Sequence, residues 1–176
     1  MIGFSGRIKS GKTTIARATA DSLSWQYVAF SDYVRLVARQ QDLDPELRPV
    51  LQSIGESLIG QGWPKFCRNV LAIANWQTGE PIVIDGIRHV DAVDHLQAIV
   101  APLTFRLIHV VIESELQLDR VRREETSQSL DRLELHSTEA DVRCRLPQLA
   151  DLVVDGAKPI ETTVTEIHAF LRKTIR

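Results

Sequence analysis

The chain has 176 residues, 21 Lys+Arg against 23 Asp+Glu, a net charge of -2, and 44% hydrophobic residues. That length suits one compact domain, 1–176, and the near-average composition excludes a disordered chain, a collagen-like repeat and a disulfide scaffold. A net charge so close to zero gives no whole-molecule field for nucleic acid. No apolar run reaches the roughly 18 residues that span a bilayer, and no signal-peptide pattern precedes the first strand. A cytoplasmic protein without nucleic-acid or membrane partners is expected. Cys67 and Cys144 lie far apart, without the spacing of a zinc site.

In chain order, Met1 to Ser5 is a short apolar run that ends in a Gly-containing turn. Lys12 to Ser24 follows with Ile15, Ala16, Ala20 and Leu23 at helical spacing. Tyr27 to Phe30 reads as a second strand, and Ser31 as the N-cap of a short helix carrying Val34, Leu36, Val37 and Ala38. Between Pro45 and Thr78 the pattern is helical but punctuated by Pro49, Gly55, Gly60, Gly62 and Pro64, which predicts two or three short helices. Pro81 to Asp85 has the compact apolar pattern of a strand buried on both faces, and a helix over Asp91 to Val100 follows. Thr104 to Ile112 is a fourth strand, Ser114 to Glu125 a charged helix, and Asp151 to Val154 a fifth strand. The last helix, Pro159 to Lys173, has Pro at its start, Glu161 in its first turn, and Arg172 and Lys173 in its last. Strands alternating with helices predict an α/β, three-layer architecture: a five-stranded parallel sheet with helices on both faces.

Gly6-Arg7-Ile8-Lys9-Ser10-Gly11-Lys12-Thr13 matches G-x-x-x-x-G-K-[ST] in full and lies between the first strand and the first helix. In such a loop the backbone around Gly6, Lys9, Ser10, Gly11, Lys12, Thr13 and Thr14 cradles phosphates, aided by the positive end of the helix. Lys12 then bridges the outer phosphates of ATP, and Thr13 offers its hydroxyl to Mg²⁺. The only asparagines, Asn69 and Asn75, are followed by Val70 and Trp76, so the N-K-x-D segment of GTPases is missing. The third strand ends Asp85-Gly86-Ile87-Arg88, without the paired acids of large ring ATPases.

With Ser31-Asp32-Tyr33-Val34-Arg35 after the second strand and Ile84-Asp85-Gly86-Ile87-Arg88 after the third, the chain resembles the nucleoside monophosphate kinase group. Adenylate kinases carry Ser-Thr-Gly-Asp-x-x-Arg and Asp-Gly-x-Pro-Arg segments at similar places. Ile82 to Arg88 and Ala150 to Val154 are also similar to dephospho-coenzyme A kinase-like proteins, and Leu51-Gln52-Ser53-Ile54-Gly55 to phage-type deoxynucleoside monophosphate kinases. The resemblance implies an ATP and Mg²⁺ dependent phosphotransferase whose acceptor is a small molecule, most naturally a nucleoside or deoxynucleoside monophosphate. It implies that Asp32, Arg35, Asp85 and Arg88 bind the acceptor within a helical region of about 32–78 and its neighbours. Asp85 would join Thr13 at the metal, and Lys12, Arg88 and Arg120 would stabilise the transferring charge. Arg120 and Arg123 would serve as nucleotide-binding arginines at the root of a short lid, about 120–147, in which His136 stands out.

The chain lacks the proline of the Asp-Gly-x-Pro-Arg segment and the Thr-Gly before the acceptor-site Asp. Two alternatives therefore stay open. One is a kinase of hydroxyl acceptors, with Asp32 as the base. The other is a non-catalytic nucleotide-dependent switch. Trp63 and Phe66 suit core packing, and they also suit the wall of an acceptor pocket.

Overall fold

The computed structural model describes residues 1–124 and 140–174. The chain runs β1 (Ile2–Gly6), α1 (Lys12–Leu23), β2 (Gln26–Ala29), α2 (Phe30–Gln40), α3 (Arg48–Gly60), α4 (Trp63–Ile73), β3 (Ile82–Ile87) and α5 (Val90–Val100). It continues with β4 (Arg106–Val111), α6 (Ser114–Glu124), α7 (Ala140–Cys144), α8 (Leu146–Leu149), β5 (Leu152–Asp155) and α9 (Ile160–Thr174). The five strands form one parallel sheet in the order β2-β3-β1-β4-β5. β1 is the centre, with Phe4 opposite Asp85 of β3 on one side and Ile108 of β4 on the other. Because β1 has neighbours on both sides, the chain leaving its carboxyl end enters the crevice where ligands bind in open parallel sheets.

Alternation along the strands builds two cores. Ile2, Phe4, Val83, Ile108 and Val110 face Ile15, Ala16 and Ala20 of α1 and Ile167 and Leu171 of α9. Ile82, Ile84 and Leu107 face the other way, against Val34 of α2, Val70 of α4 and Leu96 of α5. Burying each such side chain contributes roughly 1.5–3 kcal/mol, so both sheet faces are held and the crevice between them has firm walls. No helix among the described residues is long and apolar enough to cross a membrane.

The second strand closes earlier than its apolar run suggests. Phe30 opens α2 instead of ending β2, and Ala29, not Ser31, occupies the N-cap position. The reason is local: the Asp32 carboxylate accepts the Ala29 backbone N–H at 3.1 Å, so a side chain inside the first turn satisfies the start of the helix. The punctuated stretch resolves into α3 and α4, which begin at Arg48 and Trp63 with proline at an early helical position in each. His136, the middle of the expected lid and the Arg123 side chain lie outside the described residues.

Candidate active site

The phosphate loop is held in a shape that few side chains allow. Gly6 has φ +154°, and a Cβ there would sit 2.6 Å from the Val110 carbonyl oxygen. Lys9 and Gly11 also have positive φ, 60° and 86°, which for Lys9 is a strained backbone of the kind that loops at functional sites retain. The loop is braced from behind by α6. The Gln117 side-chain amide donates to the Ile8 carbonyl at 2.8 Å, and Arg120 donates to the carbonyls of Lys9 at 3.1 Å and Gly156 at 3.0 Å. Arg120 thus joins the phosphate loop to the turn after β5. That turn presses on the loop closely enough that a Cβ at Gly156 would lie 1.9 Å from the Ser10 carbonyl oxygen.

Lys12 opens α1, whose first turn contains no acidic residue to offset the positive helix end. Its ammonium forms a buried ion pair with Asp85. Thr13 donates its hydroxyl to the other Asp85 oxygen at 2.7 Å, and Tyr27 donates to that same oxygen at 3.0 Å. Burial lowers the Lys12 pKa, only partly offset by Asp85. For Asp85, burial raises the pKa, but Lys12, Thr13 and Tyr27 outweigh it and hold the carboxyl below its ordinary range. Tyr27 is itself pushed well above the usual phenol range by burial and by Asp85, and the Arg17 guanidinium stands 4.2 Å over its ring. Asp85 is therefore fixed by three neighbours at the mouth of the phosphate loop, with acceptor capacity left on Oδ1. The Thr13 hydroxyl and the Asp85 carboxylate are hard oxygen donors side by side, a set that fits Mg²⁺, which takes few protein ligands and keeps the rest for water and phosphate.

Beside this network opens a cavity of about 350 Å³, reached by Lys12, Thr13 and Asp85 at one end. Arg35, Arg48, Arg88 and Gln52 line it, with Trp63 and Phe66 as its aromatic wall. The Trp63 and Phe66 rings stack at 5.8 Å with 14° between planes, and Phe30 meets Phe66 edge-on at 5.1 Å. Burial, then the like charge of Arg48, bring the Arg88 pKa down to about 10, against a smaller upward effect of Asp85. His89 also borders the cavity, its ring 5.0 Å from that of Trp63.

The structure thus brings Lys12, Thr13, Arg35, Asp85 and Arg88 to one cavity. Asp32 is not among its lining residues, and one of its oxygens serves the start of α2. Sequence reading missed Arg48 and underused Gln52. The one available signal was their spacing, four residues apart on one face of α3.

No protein-family model matches the chain, and no curated protein is similar to it in sequence. Solved structures are similar along nearly the whole length. A shikimate kinase from Aquifex aeolicus matches with a TM-score of 0.62 at 17% identity, covering 99% of this chain and 97% of that one. A sugar kinase from Janibacter sp. gives a TM-score of 0.61 at 19% identity, with 97% and 93% covered. A gluconokinase from Sinorhizobium meliloti gives 0.54 at 18%, with 98% and 91% covered. At these identities the likeness speaks to architecture. Together with the full phosphate-loop motif on the central strand and the order β2-β3-β1-β4-β5, it gives this chain the fold of the P-loop small-molecule kinases.

Proposed function

We propose that the protein is an ATP and Mg²⁺ dependent phosphotransferase that moves the terminal phosphoryl group of ATP to a small molecule, a nucleoside or deoxynucleoside monophosphate. The carrying observation is the cavity beside Lys12, whose lining has three arginines and an aromatic stack against one carboxylate, Asp85, already engaged by Lys12. Arginine forks suit phosphate oxygens, and a flat aromatic wall suits a base. The cavity volume of about 350 Å³ lies at the small end of ligand sites, which suits a monophosphate better than a dinucleotide.

In this reading the phosphate loop holds the triphosphate. Lys12 then exchanges Asp85 for phosphate oxygens, while Thr13 and Asp85 hold the metal. Mg²⁺, when bound, neutralises charge between the outer phosphates. Arg35, Arg48 and Arg88 hold the acceptor's phosphate in line with the donor. That acceptor is already an anion, so no base is required and rate enhancement rests on positioning and charge stabilisation. Arg120, now on the Lys9 and Gly156 carbonyls, supports the donor side of the site.

A second reading has the names of the similar structures in its favour: shikimate kinase, sugar kinase and gluconokinase point to hydroxyl acceptors. It needs a base, and Asp32 is the candidate. Incubation with ATP and Mg²⁺ against ribo- and deoxynucleoside monophosphates, shikimate, gluconate and dephospho-coenzyme A, with products identified by mass, separates the two. We expect a nucleoside diphosphate, lost in Lys12→Ala and only mildly slowed in Asp32→Asn. Phosphorylation of a hydroxyl acceptor alone, with a severe loss in Asp32→Asn, would overturn the monophosphate reading.

A further inference from the structure

α5 starts directly after Arg88 and His89, and its N-cap residue His89 makes no side-chain cap bond. The first N–H groups of a helix need partners, and a side-chain oxygen normally supplies one. Here the partner comes from 51 residues away: the Val90 N–H donates to Asp141 Oδ2 at 3.0 Å. The same oxygen stands 3.9 Å from His89 Nδ1, too far for a hydrogen bond but close enough to favour one orientation of the ring. The other carboxylate oxygen accepts from Arg145 Nη1 at 3.3 Å, which fixes the carboxylate on α7. His89 in turn lies against Trp63, which stacks on Phe66.

We propose that Asp141 is a positioning residue for the acceptor cavity. It is not among the residues that line the cavity. It fixes the start of α5, and with it the two preceding residues: Arg88, which lines the cavity, and His89, which supports the aromatic wall. Losing this cap lets the 88–90 backbone relax, so the cavity loses the placement of one arginine and the backing of Trp63 together. Donor binding, carried by the loop between β1 and α1, is untouched. The inference rests on the reading of this cavity as the acceptor site.

A control exists in the same molecule. Asp151 also makes a long-range carboxylate-to-backbone bond, accepting the Leu107 N–H at 2.8 Å and pairing with Arg106 at 3.1 Å, at the opposite, amino end of the strands. Asp141→Ala and Asp151→Ala should both lower Tm. With the phosphate loop saturated by a non-hydrolysable ATP analogue and Mg²⁺, inorganic phosphate should bind the wild-type cavity, and calorimetry reads its Kd. Asp141→Ala should weaken phosphate by about tenfold, the size of a lost cap turned into affinity, with the analogue's own Kd unchanged. Asp151→Ala should leave both constants near wild type. Asp141→Asn, which keeps an oxygen for the Val90 N–H, should recover most of the loss. Equal phosphate affinity in Asp141→Ala and Asp151→Ala overturns the inference alone. Failure of the wild-type protein to bind phosphate beside the analogue overturns the acceptor-site reading and the inference with it.

Discussion

At the scale of single residues, the centre of the site is a buried carboxylate with three polar partners. Asp85 is buried, yet Lys12, Thr13 and Tyr27 keep it ionised. A hydroxyl acceptor would have to find its base elsewhere, whereas an acceptor phosphate needs none. His109 shows the opposite balance. It is 2% exposed on β4, and its Nδ1 has no hydrogen-bond partner among the described residues. Burial brings its pKa from 6.5 down to about 4. The unfolded chain takes up this proton below pH 6.5 and the folded chain does not, so stability is full above that pH and is lost as pH falls toward 4. The whole loss is on the order of 3 kcal/mol, of which most is developed at pH 5. His109→Leu removes this titration. We expect the wild-type Tm to drop between pH 7.5 and pH 5 by about 4–8 °C more than that of the variant. Equal drops in the two proteins would show that His109 is not held neutral.

At the scale of elements, the parts governed by period and punctuation were legible in the sequence. The apolar run before Gly6, the motif itself and the spacing of Ile15, Ala16 and Ala20 led directly to β1, the phosphate loop and α1. The place of Asp85 and Arg88 at the cavity was legible because one stands near the carboxyl end of a strand and the other just beyond it, where ligand crevices open in such sheets. Arg48 was not, because its place at the cavity depends on how α3 packs against α2 and α4, a tertiary fact that its spacing from Gln52 does not reveal. The start of α2 was misplaced for a related reason: Asp32 reads as easily as a ligand group as it does as a cap, and only the Ala29 hydrogen bond distinguishes them. The turn after β5 lies against the phosphate loop. A Cβ at Gly156 would lie 1.9 Å from the Ser10 carbonyl oxygen, a backbone atom that cannot move without deforming the loop. Gly156→Ala should therefore weaken ATP by at least about tenfold while the protein still folds, measured by calorimetry beside a circular dichroism spectrum. Unchanged ATP affinity would mean that the turn yields and the loop does not depend on it.

At the scale of the whole molecule, the topology explains why two sites meet. β1 lies between β3 and β4, so the loop after β1 and the residues after β3 open on the same crevice. α1 and α9 cover one face of the sheet and α2, α4 and α5 the other. The phosphate loop and the arginine-lined cavity then share Lys12, Thr13 and Asp85 as a common wall. A donor and an acceptor held on either side of that wall would stand in line for direct transfer, and water would be the competing acceptor if the two were further apart.

The most direct test of this arrangement is the affinity of a bisubstrate compound in which a nucleoside monophosphate is joined through its phosphate to ATP, made with adenosine and with thymidine. If both sites are occupied together, at least one of the two compounds should bind on the order of 100-fold more tightly than ATP. Arg88→Ala should remove that advantage while leaving ATP binding intact. Compounds that bind no better than ATP, with Arg88→Ala indistinguishable from wild type, would contradict the account.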